Sequence, residues 1–158
     1  MSEYKKFSQE LCDENDLISK ETAVDFLEWT KFYKLQTPLL EQLELYKKQD
    51  FEITLLKDDK KIKIEVERKK VWDKIGKWQG WSTIDVAFRK KDSEADIFIM
   101  INKSCDTIAV TLMKNVIESK VSSKKTIYTN CEEFFNVELD KFRFYKKNDI
   151  GWEKFKIN

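Results

Sequence analysis

The chain has 158 residues, the size of about one domain, with 30 Lys+Arg against 29 Asp+Glu and a formal net charge of +1. Hydrophobic residues make up 41% and charged residues 37%, so there is apolar mass enough to exclude a disordered chain, and no run approaches the roughly 18 apolar residues of a membrane span. Histidine is absent, which excludes His-dependent triads, imidazole acid–base catalysis and His-ligated metals.

In chain order, residues 3–19 are polar with scattered apolar positions (Phe7, Leu11, Leu17, Ile18) that can form a first helix. Ser19 or Thr22 can cap the next segment, with Asp25 three residues after Thr22. From there ETAVDFLEWTKFYKL places apolar residues at 23, 24, 26, 27, 29, 32, 33 and 35, a helical period. Pro38 suits the first turn of a further short helix, PLLEQLELYKK. The period then changes to two. DFEITLL and KIKIEVERK read as strands joined by a turn in LKDDKK. In the second strand Ile62, Ile64 and Val66 share one face, and Lys63, Glu65, Glu67 and Lys69 share the other.

A tryptophan-rich connection follows, with a helical turn near 72–78 and bends at Gly76 and Gly80. STIDVAF reads as a third strand, and the continuous apolar run ADIFIMIN as a central strand buried on both faces. NKSCD is a turn leading to the strand DTIAVTLM, and LMKNVIESK closes as a short helix. Thr129 precedes CEEFF as a helix cap would, and VELDKFRFY reads as the last strand. Three glycines and one proline leave no linker. The expectation is one α/β domain over 1–158 with a mixed central sheet flanked by helices, its core over roughly 20–112.

The charge is unevenly placed. Residues 1–50 carry 7 basic and 11 acidic side chains, residues 57–91 carry 12 and 6, and residues 92–158 carry 11 of each. Trp72, Trp78, Trp81 and Phe88 are interleaved with the basic stretch. Cations beside aromatics suit a polyanion with stackable bases, whereas lysines guarding a sheet edge over core tryptophans would give the same pattern.

The strand 61–69 is where chemistry is legible. Glu65 and Glu67 lie about 7 Å apart along one face, with Lys69 following. Asp50 opens the neighbouring strand. Converging carboxylates repel unless a cation neutralises them. An oxygen-only set suits Mg²⁺ or Mn²⁺, and a nearby Lys can neutralise charge developing on phosphate. A wet strand face laced with Glu–Lys cross-strand pairs would read the same way.

An acid opening one strand, DFEI at 50–53, and IEVERK at 64–69 on the next resemble the PD-(D/E)XK nuclease superfamily, including its small phage- or virus-type members. The resemblance implies a restriction-endonuclease-like mixed sheet and an endonuclease that hydrolyses DNA phosphodiesters with Mg²⁺ or Mn²⁺. It implies Asp50, Glu65 and Glu67 as metal ligands and Asp50, Glu65, Glu67 and Lys69 as the catalytic set. A helix acid, Glu28, can complete the site, and Lys70, Arg89 and Lys90 can line a phosphate track. Pairing of two copies to cut both strands is a further expectation. The motif fits two registers. Glu65-Val66-Glu67 keeps an apolar middle residue but puts Glu67 where Lys usually stands, whereas Glu67-Arg68-Lys69 keeps the Lys and turns Arg68 inward, which is costly. Gln49 replaces the usual Pro. Asp85 shares a strand face with Arg89 and can pair with it. Two other classes stay open: a non-catalytic nucleic-acid-binding module and a protein-interaction domain with tryptophan anchors. Residues 1–16 hold no secretory apolar region and the three cysteines, Cys12, Cys105 and Cys131, are widely spaced, so the expected location is the cytoplasm, that of a host cell if the chain is phage-encoded.

Overall fold

The computed structural model describes residues 9–31, 33–34, 51–55, 59–125 and 131–157, with side chains described for 17–31, 59–125 and 131–157. One helix, α1 (Gln9–Trp29), is followed by strands β1 (Tyr33–Lys34), β2 (Phe51–Leu55) and β3 (Lys61–Arg68). Next come β4 (Thr83–Ala87), a 3-10 turn (Phe88–Asp92), β5 (Ile97–Ile101), β6 (Thr107–Leu112) and the short helix α2 (Met113–Ile117). The chain continues through β7 (Lys120–Lys124), β8 (Glu132–Glu138), a second 3-10 turn (Leu139–Lys141), β9 (Arg143–Asn148) and β10 (Gly151–Phe155). No helix among the described residues is long and apolar enough to cross a membrane.

The strands form a seven-stranded mixed sheet, in the order β1-β2-β3-β5-β6-β9-β10, and a three-stranded sheet, β4-β8-β7. Every pairing is antiparallel except β3 with β5, which run parallel from Ile64↔Ile97 to Arg68↔Ile101. This is the expected mixed α/β architecture, and β5 is the expected central strand: Phe98, Ile99, Met100 and Ile101 are all fully buried.

The large sheet is covered differently on its two faces. Ile64, Val66, Ile99, Ile101, Ile108 and Trp152 meet Ala23, Phe26 and Leu27 of α1. The opposite face presents Phe98, Met100, Ala109 and Phe144 to Ile84, Val86, Phe135 and Val137 of the small sheet, with Trp72, Met113 and Val116 filling the gap. Among the described residues, the long helix α1 covers one face, and the other is covered by the small sheet with the short helix α2. STIDVAF supplies β4, but not as a third strand of the main sheet: its alternate residues Ile84 and Val86 are buried and Asp85 is not, the pattern of a layer with one dry face.

Four expectations are corrected. Residues 9–29 form one helix rather than two. Neither Ser19 nor Thr22 interrupts it, because no Gly or Pro breaks the segment and the Thr22 hydroxyl donates back to the Ile18 carbonyl at 2.9 Å, a bond compatible with a continuing helix. Residues 132–138 form a strand rather than a capped helix, since Phe135 and Val137 point into the core at period two; Thr129 lies outside the described residues. The 72–78 segment is a series of bends, with positive φ at Gly76 and Gly80. VELDKFRFY is broken by the 3-10 turn at 139–141. The segment PLLEQLELYKK lies outside the described residues.

The bent Trp-rich loop is nevertheless fixed. Trp72 is fully buried and its Nε1 donates to the Lys77 carbonyl at 2.9 Å. Asn102, also fully buried, donates to the Lys74 carbonyl (2.9 Å) and to Asp106 Oδ1 (2.7 Å), and it accepts from the Asp106 and Thr107 amides. One side chain thus ties the loop at 74 to the β5–β6 turn with its amide fully satisfied.

Candidate active site

β3 builds the site. Its pairing puts Glu65 beside Phe98 and Glu67 beside Met100 of β5, on the face that looks toward the small sheet. From Glu65 onward the polar row of KIKIEVERK is therefore not a solvated outer surface, whereas Lys63 pairs with exposed Glu94. Glu65, Glu67 and Lys69 are all only partly exposed, at the margin between the two layers beside β4 and its following turn.

Glu65 is occupied by donors. Lys90 Nζ forms an ion pair with Oε1, and Ser93 Oγ donates to Oε2 at 2.7 Å. The two charged side chains are 12% (Glu65) and 15% (Lys90) exposed, so the pair is largely shielded from water. Glu67 differs. Its Oε2 is buried and accepts no hydrogen bond. A buried carboxylate oxygen without a donor is costly, and it fits a site completed by a cation. Among the described residues, no group of three or more acidic or cysteine side chains is gathered closely enough to hold a metal ion. Glu65 and Glu67 would thus need a further ligand. Asp50 lies outside the described residues; the strand that follows it begins with Phe51 opposite Ile64, one residue before Glu65.

Lys69 Nζ donates to the Asp85 carbonyl at 3.3 Å and lies 5.7 Å from the centre of the Trp81 ring. The three residues Glu65, Glu67 and Lys69 are brought onto one face. Val66 between the glutamates is buried, as the Glu65-Val66-Glu67 register requires. The cost attached to the other register is absent, because Arg68 does not enter the core: its guanidinium donates to the Lys103 carbonyl at the strand end, at 3.0 Å from Nε.

The remaining expected residues are dispersed. Glu28 is exposed on α1, and the sheet separates α1 from the Glu65–Glu67 face. Arg89 is exposed and pairs with Glu132 at 3.2 Å, and Asp85 pairs with Lys124 instead of with Arg89. Lys90 is turned inward onto Glu65 rather than outward along a phosphate track, and Lys70 is exposed. The tryptophans divide between the two readings of the basic stretch: Trp72 is core, Trp78 packs against it, and Trp81 is 36% exposed.

Ser93 and Lys124 carried no motif. Both reach the site across the fold: Ser93 is 28 positions from Glu65, and Lys124 is 39 from Asp85. Burial alone would raise the Asp85 carboxyl. Hydrogen bonds from Lys124, Asn136 and Thr83, with the Lys124 charge, hold it below its ordinary value of 3.8. Because the folded-state value is depressed, this contribution to stability is present above the unfolded value and is lost as pH falls through the folded one. Acid titration of stability should therefore show a wild-type advantage over Asp85→Asn at neutral pH that shrinks below about pH 4. An unchanged difference down to strong acid would refute the pairing.

No protein-family model, curated protein or solved structure matches the chain.

Proposed function

We propose that the chain is a metal-dependent phosphodiesterase acting on DNA, with its centre on β3, in a restriction-endonuclease-like arrangement. The observation that carries this reading is the buried, donorless Oε2 of Glu67 on the same strand face as Glu65 and Lys69. The strand order supports it: an antiparallel β1-β2-β3 run follows a helix, and the motif strand is an interior strand of a mixed sheet, beside its central strand β5. The small sheet where a second helical layer was expected is a departure.

Glu67 and Glu65 would hold Mg²⁺ or Mn²⁺, with Asp50 as the third acid from the motif. Bound there, the ion lowers the pKa of a water and neutralises charge on a phosphate oxygen. The chain's own groups divide the rest. Lys69, steadied by the Asp85 carbonyl and the Trp81 ring, offers a fixed positive charge on the same face for a phosphate oxygen. Lys90 neutralises Glu65 and must withdraw before that carboxylate can accept another cation. Val66 and the β5 core behind it hold the strand's alternation, so the acids cannot turn away without exposing buried apolar surface.

Supercoiled plasmid with Mg²⁺ or Mn²⁺ tests this directly. Wild type nicks or linearises it, and Asp50→Ala combined with Glu65→Ala does not. Cutting that survives the double substitution sinks the assignment. One observation favours a second reading, a non-catalytic nucleic-acid binder: the Lys90–Glu65–Ser93 cluster already satisfies Glu65. That reading gives salt-sensitive binding with no cleavage in any metal.

A further inference from the structure

Beside Lys69, on the β4 side of the acids, lies a cleft of about 400 Å³ whose lining includes Lys69, Val71, Trp81, Thr83, Asp85 and Lys124. Its chemistry is specific. Trp81 is 36% exposed and Val71 63%, so an aromatic and an aliphatic wall are both open to solvent. Two lysines and one aspartate give the lining a balance of +1 (two positive, one negative). The Asp85 carboxylate is taken up by Lys124, Asn136 and Thr83 and does not face the cleft as a bare charge.

The Trp81 ring is held rather than loose. Trp78 Nε1 donates to the Trp81 carbonyl at 2.7 Å, and the two rings meet edge to face at 5.4 Å. Trp78 in turn packs edge-on against buried Trp72, 5.0 Å away. Gly80, with φ +98, precedes Trp81, and a Cβ there would meet nothing within 4 Å, so the approach past the ring is open. A rigid, half-exposed indole beside two ammonium groups is the recognition set for a planar base bearing a phosphate.

We propose that this cleft takes an unpaired nucleotide of a nucleic-acid strand, its base stacked on Trp81 against Val71 and its phosphate between Lys69 and Lys124. The inference rests on the phosphodiesterase reading and deepens it. Lys69 lines the cleft and follows Glu67 on the same strand face, so a strand seated on Trp81 would run toward the acids. The preferred substrate would then carry unpaired bases: a single strand, a flap, or the transiently melted stretches of a negatively supercoiled plasmid. A stacked duplex cannot offer a base face to the indole without unstacking.

The test is fluorescence anisotropy with labelled oligothymidylate, in EDTA so that no cutting intervenes. Oligothymidylate should bind wild type at least about tenfold more tightly than a blunt hairpin duplex of equal charge, since stacking contributes about 1–3 kcal/mol per base. Trp81→Ala should lose about that factor on oligothymidylate and little on the hairpin, and Trp81→Phe should recover most of it. Lys124→Ala should flatten the log–log salt dependence by about 0.7, the value of one phosphate contact on a single strand. Equal affinity for the hairpin, no loss in Trp81→Ala, or binding of free thymidine monophosphate with none of the oligonucleotide each overturns the inference. Its failure is separable from failure of the nuclease reading. Plasmid cutting with unchanged Trp81→Ala binding rejects only the cleft. Trp81-dependent strand binding without cutting in any metal keeps the cleft and rejects the hydrolytic chemistry.

Discussion

Glu67→Gln is expected to change activity and stability in opposite directions. Cleavage should fall about a hundredfold or more if Glu67 holds the cation as proposed, because the substitution removes one of its charges. Stability in EDTA should rise by about 1–3 kcal/mol, because the wild-type protein carries a buried carboxylate oxygen with no donor and the variant carries a neutral amide. The rise should show as a higher urea midpoint at unchanged slope. Added Mg²⁺ should stabilise wild type and not the variant, since a ligand stabilises only a fold that binds it. Ordinary surface glutamates do not behave this way, and sites kept for function commonly do. A stability loss in Glu67→Gln, with no Mg²⁺ effect on wild type, would mean that Glu67 is a structural acid.

The second large effect is structural. Trp72→Ala should destabilise the protein by about 3–5 kcal/mol, a substantial part of the 5–15 kcal/mol available to a domain. Trp72 is fully buried between the two sheets, touches Trp78 and Phe144 edge to face, and ends the Trp-rich loop with its bond to Lys77. Its removal leaves a cavity and frees the Lys77 carbonyl. Because Trp78 and, through it, Trp81 lean on this ring, strand binding should weaken at temperatures where the variant is still folded. Denaturant unfolding followed by anisotropy on the same samples separates the two losses. A loss below about 1 kcal/mol would contradict the packing described here.

Much of β3 was legible because an alternating strand carries its own register: Ile64 and Val66 inward, Glu65 and Glu67 opposite, as found. β5 was legible for the complementary reason, a run too apolar for any exposed face. What escaped was partner choice. TIDVA and EEFFNVE each look half-buried, but nothing local says that they pair with one another, 47 to 55 positions apart, in a separate layer. Ser19 and Thr22 favour caps, which divides α1 in two on sequence alone, a local preference overridden where the helix packs on β3. The site shows the same limit. Glu65, Glu67 and Lys69 lie within five residues and could be read together. Ser93, Lys124 and the inward turn of Lys90 depend on where β4 and β7 settle, and single residues such as these carry no period.

The path of the chain between layers has its own consequence. β1 to β3 lie in the large sheet, β4 in the small one, β5 and β6 back in the large one, β7 and β8 in the small one, and β9 and β10 return. Neither layer is a contiguous stretch of sequence. Among the described strands, every scission between β1 and β10 separates strands of the large sheet from one another. Such interleaving makes the layers one cooperative unit and sets the folding of the β3–β5 pair behind the closure of the long connection between them.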